Sequence, residues 1–160
     1  MESLERTFTL SEMSETPDFI PTIAHRIWQT WWRDKGVLQD EIEVKVRAAL
    51  CPEAVPTAFV AHHDGIYLGS ALLIESDFAA RPQLTPWVAA VWTEEVHRRE
   101  GIGTALVARM AQLAFENGYS RVYLCASDDN TPFYEKMGWR VLEYHVKQLN
   151  VLALDKPASS

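Results

Sequence analysis

The chain has 160 residues, 48% of them hydrophobic, with a formal net charge of −7. That length suits one hydrophobic core and is short for two, so residues 1–160 read as a single domain with its core at about 5–155. The acidic balance argues against a nucleic-acid partner and mildly favours a cationic small molecule or basic peptide, with solubility as the alternative reason for it; no apolar run approaches the roughly 20 residues of a membrane span.

Met1 to Arg6 lack the basic and apolar pattern of a secretion signal. Cys51 and Cys125 do not make a disulfide framework, which points to a reducing, cytoplasmic setting. Neither cysteine has a second thiol nearby in sequence, and no metal site is expected.

Arg6 to Leu10 alternate weakly and read as a short first strand. Ser14-Glu15-Thr16-Pro17-Asp18 opens a helix on which Phe19, Ile23, Ile27 and Trp31 recur at every fourth position, beside Ile20, Ala24 and Trp28; Gly36 closes it. The stripe reads as a core face. Three tryptophans, Trp28, Trp31 and Trp32, exceed what one stripe needs, and a substrate wall is the alternative. A second helix spans Asp40 to Leu50, and Cys51 to Pro56 is a loop. Thr57 to His62 and Ile66 to Ile74 flank Asp64-Gly65, a hairpin signal. His62 and His63 are strand neighbours that point to opposite faces, so they read as surface residues and not as metal ligands.

Glu75 to Pro86 is a loop. Trp87 to Trp92 is apolar without alternation, as in a central strand covered on both faces. Ile102, Leu106, Met110 and Leu113 define a helix that ends at Asn117-Gly118. Arg121 to Cys125 is a strand, Thr131-Pro132 starts a short helix that stops at Gly138, and Trp139 to Tyr144 and Lys147 to Leu154 are the last strands, before a tail from Lys156. The element order implies a mixed sheet with helices on both faces.

The densest signal lies between Val91 and Leu106, where an apolar strand runs into a turn with Arg98, Arg99, Gly101 and Gly103, and a helix starts at once. Glycines let a backbone approach a phosphate, and the first turn of a helix presents unpaired N–H groups with a partial positive charge. The dinucleotide fingerprint G-x-G-x-x-G/A fails at Leu106, and the strand comes late in the chain. The nucleotide P-loop needs a lysine that is absent. The turn R/Q-x-x-G-x-G/A, which grips the diphosphate of coenzyme A, is matched at every position by Arg98-Arg99-Glu100-Gly101-Ile102-Gly103. Backbone N–H groups of Arg99, Glu100, Gly101, Ile102, Gly103 and Thr104 are expected to hold it. Arg98 and Arg99 can add charge-assisted hydrogen bonds, with a solvated loop position as the alternative for one of them.

Val91 to Glu116, with Arg98-x-x-Gly101-x-Gly103, resembles motif A of the GNAT N-acetyltransferases. Phe133-Tyr134-Glu135-Lys136-Met137-Gly138-Trp139 resembles that family's F-Y-E-K-x-G-F/W segment, at a fitting spacing. The likeness runs from Trp87 to Tyr144; the N-terminal half agrees in element order only. The resemblance implies a GNAT-like α/β fold (an α+β mixed sheet), with a central twisted sheet of about six to seven strands flanked by about four helices. It implies acetyl-coenzyme A as donor and an amine of a small molecule or peptide as acceptor, which attacks directly in a ternary complex. It also implies that the central strand parts from its neighbour near Val91. The backbone of Val91, Trp92 and Thr93 would then pair with the pantetheine arm and polarise the thioester carbonyl.

Tyr134 matches the family tyrosine. A phenol with an ordinary pKa of about 10 stays protonated at pH 7, as a general acid for a departing thiolate must; a tyrosine packed at a helix–sheet seam is the alternative. Phe133 reads as core. The family's asparagine upstream of the tyrosine is replaced by Ser127, which leaves Asn130 as a cofactor contact. For the base, Glu75 and Asp77 are the candidates, since both point to one face if their strand stays extended; a loop start is the alternative. Glu94 and Glu95 read as solvated turn residues. A homodimer paired through sheets or C-terminal strands is compatible with the resemblance. A coenzyme A-binding domain without catalysis, used for sensing or recruitment, is the other class left open.

Overall fold

The computed structural model describes residues 8–48 and 55–158. Arg6 and Thr7 of the expected first strand, Ala49 and Leu50 of the second helix, and Cys51 lie outside the described residues. Seven strands form one sheet: β1 Thr9–Glu12, β2 Thr57–His63, β3 Ile66–Ile74, β4 Trp87–Thr93, β5 Arg121–Ala126, β6 Arg140–Val146 and β7 Leu149–Asp155. Their order is β1-β2-β3-β4-β5-β7-β6. Every neighbouring pair is antiparallel except β4 with β5. The helices are α1 Ile20–Ile27, α2 Gln39–Arg47, α3 Ile102–Glu116 and α4 Thr131–Lys136. The mixed sheet and its four helices agree with the fold class expected above.

The two faces have separate cores, each written in the sequence period of its helices. On one face, Leu106, Met110 and Leu113 of α3 pack on Phe59, Leu73, Val88 and Leu124. On the other, Ile20, Ile23 and Ile27 of α1 and Ile42 and Val46 of α2 pack on Val60, Tyr67 and Leu72. Because β4 is covered on both sides, Trp87 and Val88 are buried together, which explains the missing alternation.

Several element boundaries differ from expectation: α1 starts only at Ile20 and gives way to a π-helical turn at Trp28, and β6 runs Arg140–Val146 and not Trp139 to Tyr144. The first strand runs later, pairing Thr9 with His62 through Glu12 with Phe59. In the last hairpin, Lys147 and Gln148 form the turn at φ 50° and 71°, so the final strand starts at Leu149 and not at Lys147.

β4 carries the distortion that matters most. Trp92 faces Ser70 and Ala89 faces Leu72, so β4 spends one residue more than β3 between the two pairs. The surplus is taken up at Ala90, whose φ is +53°. This is a β-bulge, which bends the strand and re-aims the residues beyond it. On its other side β4 shares a single residue pair with β5, Trp87 with Tyr123, clamped by the Tyr123 N–H donating to the Pro86 carbonyl at 3.0 Å. Beyond that pair the two strands part.

Gly69 makes this arrangement possible from beneath. A methyl group there would stand 2.6 Å from the Trp92 carbonyl oxygen and 3.2 Å from Cγ2 of Ile102. The absent side chain lets the end of β4 and the start of α3 settle on β3. Gly69→Ala is therefore expected to lower stability by about 1–3 kcal/mol in urea denaturation, since the first obstacle is backbone. An unchanged midpoint would show that β3 and β4 separate there without cost.

Candidate active site

The turn between β4 and α3 is pinned at both ends. At its start, the Glu94 N–H donates to the Leu68 carbonyl at 2.8 Å, and a short 3-10 turn spans Glu95–His97. At its end, Gly101 adopts φ +83° as the residue preceding α3, a conformation that a side chain would strain. Arg99 is left-handed as well, at φ +72°. The first hydrogen bond of α3 runs from the Ala105 N–H to the Gly101 carbonyl at 3.0 Å, and no side chain caps the helix. The N–H groups of Ile102, Gly103 and Thr104 therefore lack helical acceptors and carry the positive end of the helix dipole.

These donors open into a cleft of about 750 Å³ at the parting of β4 and β5. Val91, Trp92 and Thr93 form one wall, and Arg98, Arg99, Gly101, Ile102, Gly103 and Thr104 form one end. Asn130, Phe133 and Tyr134 of the α4 region also line it, as do Thr30 and Trp31 from the π-helical turn Trp28–Trp32 that follows α1. Gly103 leaves its side of the cleft to backbone: a methyl group there would fill the space up to Thr93 Oγ1 at 3.4 Å and Phe133 Cζ at 3.8 Å. The cleft thus gathers the expected binding residues except Glu100, whose carboxylate turns toward His97 Nδ1 at 3.3 Å. Arg98 is already engaged: its Nε–H donates to the Thr93 carbonyl at 3.1 Å, and its guanidinium stacks 4.8 Å from the Trp92 ring. It braces the turn, while Arg99 extends the positive end. Unpaired backbone donors, a glycine bend and an open cleft suit a diphosphate with a long arm.

Tyr134 is half-buried, packed on Trp139 at 6.4 Å and edge-on to Phe133 at 5.0 Å. Burial pushes its phenol up from 10.0, so the hydroxyl holds its proton through neutral pH. Phe133 does not join the core as expected: it is 40% exposed and lines the cleft, because α4 starts at Thr131 and turns this residue outward. The start of α4 is held by a network that the sequence did not disclose. Asn150, buried on β7, donates to Asp128 Oδ1 and Thr131 Oγ1 at 2.9 Å each. The Thr131 hydroxyl donates to the Ser127 carbonyl at 2.7 Å. Ser127, at the family's asparagine offset, accepts the Asn130 N–H and so shapes the turn.

The candidate bases lie outside the residues that line this cleft. Glu75 and Asp77 are both solvent-exposed after the end of β3. β3 ends at Ile74, so the two sit in a loop start and not on an extended strand; loss of hydration raises the Asp77 carboxyl pKa, and its field reaches Cys125 on β5. Burial, with the Asp77 charge, pushes the Cys125 thiol up to about 12, so it remains a thiol. Arg81 ties the same loop to β6 through a two-pronged pair with Glu143 at 2.6 and 2.7 Å.

Glu94 is the clear departure from the solvated residue expected. Arg26 of α1 donates to both its oxygens at 2.7 and 2.8 Å, and the Trp92 indole N–H donates to Oε2 at 2.7 Å. The i,i+2 relation of Trp92 and Glu94 was visible; the approach of Arg26 across 68 residues was not. This junction fixes α1 to the mouth of the cleft. Among the described residues, no group of three potential metal ligands occurs and no helix is long and apolar enough to cross a membrane.

Residues 24–139 match the acetyltransferase (GNAT) family. A glucosamine 6-phosphate N-acetyltransferase of Trypanosoma brucei brucei is 29% identical over 94 residues, 58% of this chain and 64% of that protein, so the match spans less than two thirds of the relative. An aminoglycoside 6'-N-acetyltransferase complexed with coenzyme A superposes with a TM-score of 0.71 at 18% identity, covering 95% of this chain and 99% of that one. An aminoglycoside 6'-acetyltransferase type Ii gives 0.71 at 21% identity, covering 94% and 99%. At these identities the two structures establish likeness of fold.

The Arg26 guanidinium, with the Trp92 N–H, holds the Glu94 carboxyl below its ordinary 4.5. A carboxyl with a depressed folded pKa adds stability that is fully present above the unfolded pKa and fades as pH falls through the folded one. Unfolding free energy should therefore decline below about pH 5, and Glu94→Gln should lower stability at neutral pH and flatten that decline. Urea titrations across this range decide it; an identical slope in the variant would mean that the pair contributes nothing.

Proposed function

The chain belongs to the acetyltransferase (GNAT) family, and on that basis we propose that it transfers the acetyl group of acetyl-coenzyme A to an amine by direct attack in a ternary complex. The observation that carries this reading is the single-pair junction of β4 and β5. It leaves the main chain of Val91 to Thr93 facing a cleft that ends at the unpaired donors of α3 and is walled by Tyr134.

Acetyl-coenzyme A supplies an acyl thioester. The Ile102, Gly103 and Thr104 N–H groups, with Arg99, bind its diphosphate; Asn130 flanks the arm. Backbone groups of Val91 to Thr93 pair with the pantetheine amides and orient the thioester carbonyl. The Tyr134 hydroxyl, kept protonated by its half-buried setting, gives its proton to the departing sulfur as the C–S bond breaks and the C–N bond forms. The amine must shed a proton to attack. Asp77, its basicity raised by loss of hydration, accepts it through water from outside the cleft lining, with Glu75 in the same loop start as the alternate. Cys125, held as a thiol, takes no part as a nucleophile.

Release of free thiol from acetyl-coenzyme A in the presence of an amine panel tests the activity. Tyr134→Phe should lower kcat by about 100-fold or more while leaving coenzyme A affinity unchanged in calorimetry. Unchanged turnover would remove Tyr134 as the acid. Coenzyme A binding without thiol release on any amine would favour a sensing domain instead.

A further inference from the structure

The tryptophans after α1 do not continue one stripe. Ile20, Ile23, Ala24 and Ile27 are buried at helical spacing, which would carry the core face on to Trp31. A π-helical turn over Trp28–Trp32 intervenes. Its extra residue lets Trp32 join Trp28 against the core beneath α1, and it swings Trp31 out. Trp31 is 38% exposed and lines the cleft with Thr30.

Its surroundings differ from those of its neighbours. The Trp28 ring has the Arg33 guanidinium at 6.0 Å, and its N–H donates to the Val37 carbonyl. The Trp32 ring has the ammonium groups of Lys35 at 5.1 Å and Lys45 at 5.7 Å. Trp92 carries Arg98 at 4.8 Å and donates to Glu94. Trp31 has no cation, ring or hydrogen-bond partner among the described residues. The Arg26–Glu94 pair, one turn earlier in the helix, fixes the segment that presents it.

We propose that the open Trp31 indole receives a second, non-reacting cationic group of the acceptor, so that the substrate class is an amine bearing another ammonium or guanidinium. This rests on the acetyl-transfer reading above. The amine that attacks has to be neutral at that moment, whereas a cation on an indole face is favoured by staying charged; the two demands fall on different nitrogens of the acceptor. Trp28, Trp32 and Trp92 each carry a cation of this chain over the ring, and Trp31 is the indole of this group left open for one from outside.

Six indole N–H signals are expected by NMR, and Trp31→Phe assigns one by its loss. In the coenzyme A-loaded protein, titration with diaminobutane should shift that signal saturably, and butanediol should not. In thiol-release kinetics, diaminobutane should have a KM about 5- to 30-fold below that of butylamine. Trp31→Ala should erase this preference, Trp31→Phe should keep part of it, and neither should change coenzyme A affinity. An unmoved indole signal, an equal shift with butanediol, a preference that survives Trp31→Ala, or a loss of coenzyme A affinity in that variant would each overturn the proposal. The indole titration is read whether or not any amine is acetylated, so a failure of acetyl transfer is seen separately, as absent thiol release.

Discussion

β4 and β5 share one residue pair, Trp87 with Tyr123, and then part, and the shape of the site derives from that separation. Parallel strands normally satisfy each other's main chain along their length. Here the bulge at Ala90 turns β4 away from β5, so on that side the chain from Val91 to Thr93 lines a cleft, while Trp92 and Thr93 stay paired with Ser70 and Gly69 of β3. The rim is made of backbone, which needs no side-chain ordering to meet an amide-bearing arm. The same bend delivers the chain to Gly101, whose left-handed conformation starts α3 with its unpaired donors aimed at the same opening.

The parting is held open by contacts on every side. Beneath, Gly69 removes the side chain that would strike the Trp92 carbonyl. On the α1 side, Arg26, Trp92 and Glu94 lock helix to strand end; on the opposite side, Asn150 and Thr131 fix the start of α4 and with it Tyr134. Arg98 spends its Nε–H on the Thr93 carbonyl and its face on Trp92, so the turn is braced before any anion arrives. Preorganised donors of this kind lose little on binding, which is what electrostatic recognition of a diphosphate requires.

The parts of the site that depend on local chain geometry could be read directly. Arg98 to Gly103 read as a bend into a helix, because two closely spaced glycines separate an apolar strand from a helical stripe. The hairpin at Asp64-Gly65 and the buried stripe of α3 were legible for the same reason. What escaped depends on approach through space. Nothing near Glu94 in sequence announces Arg26, and nothing near Thr131 announces Asn150. Gly69 was read only as part of its strand, and nothing near it in sequence names the Trp92 carbonyl that comes close. Trp31 misled because its fourth-position spacing holds only for an unbroken α-helix, and one extra residue in the turn moves it off the core. Phe133 misled because a short helix gives too few turns to reveal which side faces inward.

In the proposed reading, unpaired main-chain donors at the start of α3 hold a diphosphate. Calorimetry with coenzyme A and with pantetheine, which has the arm but lacks the diphosphate, isolates that contribution. Pantetheine should bind at least about tenfold more weakly, and only coenzyme A should shift the backbone amide signals of Ile102, Gly103 and Thr104. Equal affinity for the two, or coenzyme A binding that leaves those amides unmoved, would refute diphosphate capture by these donors.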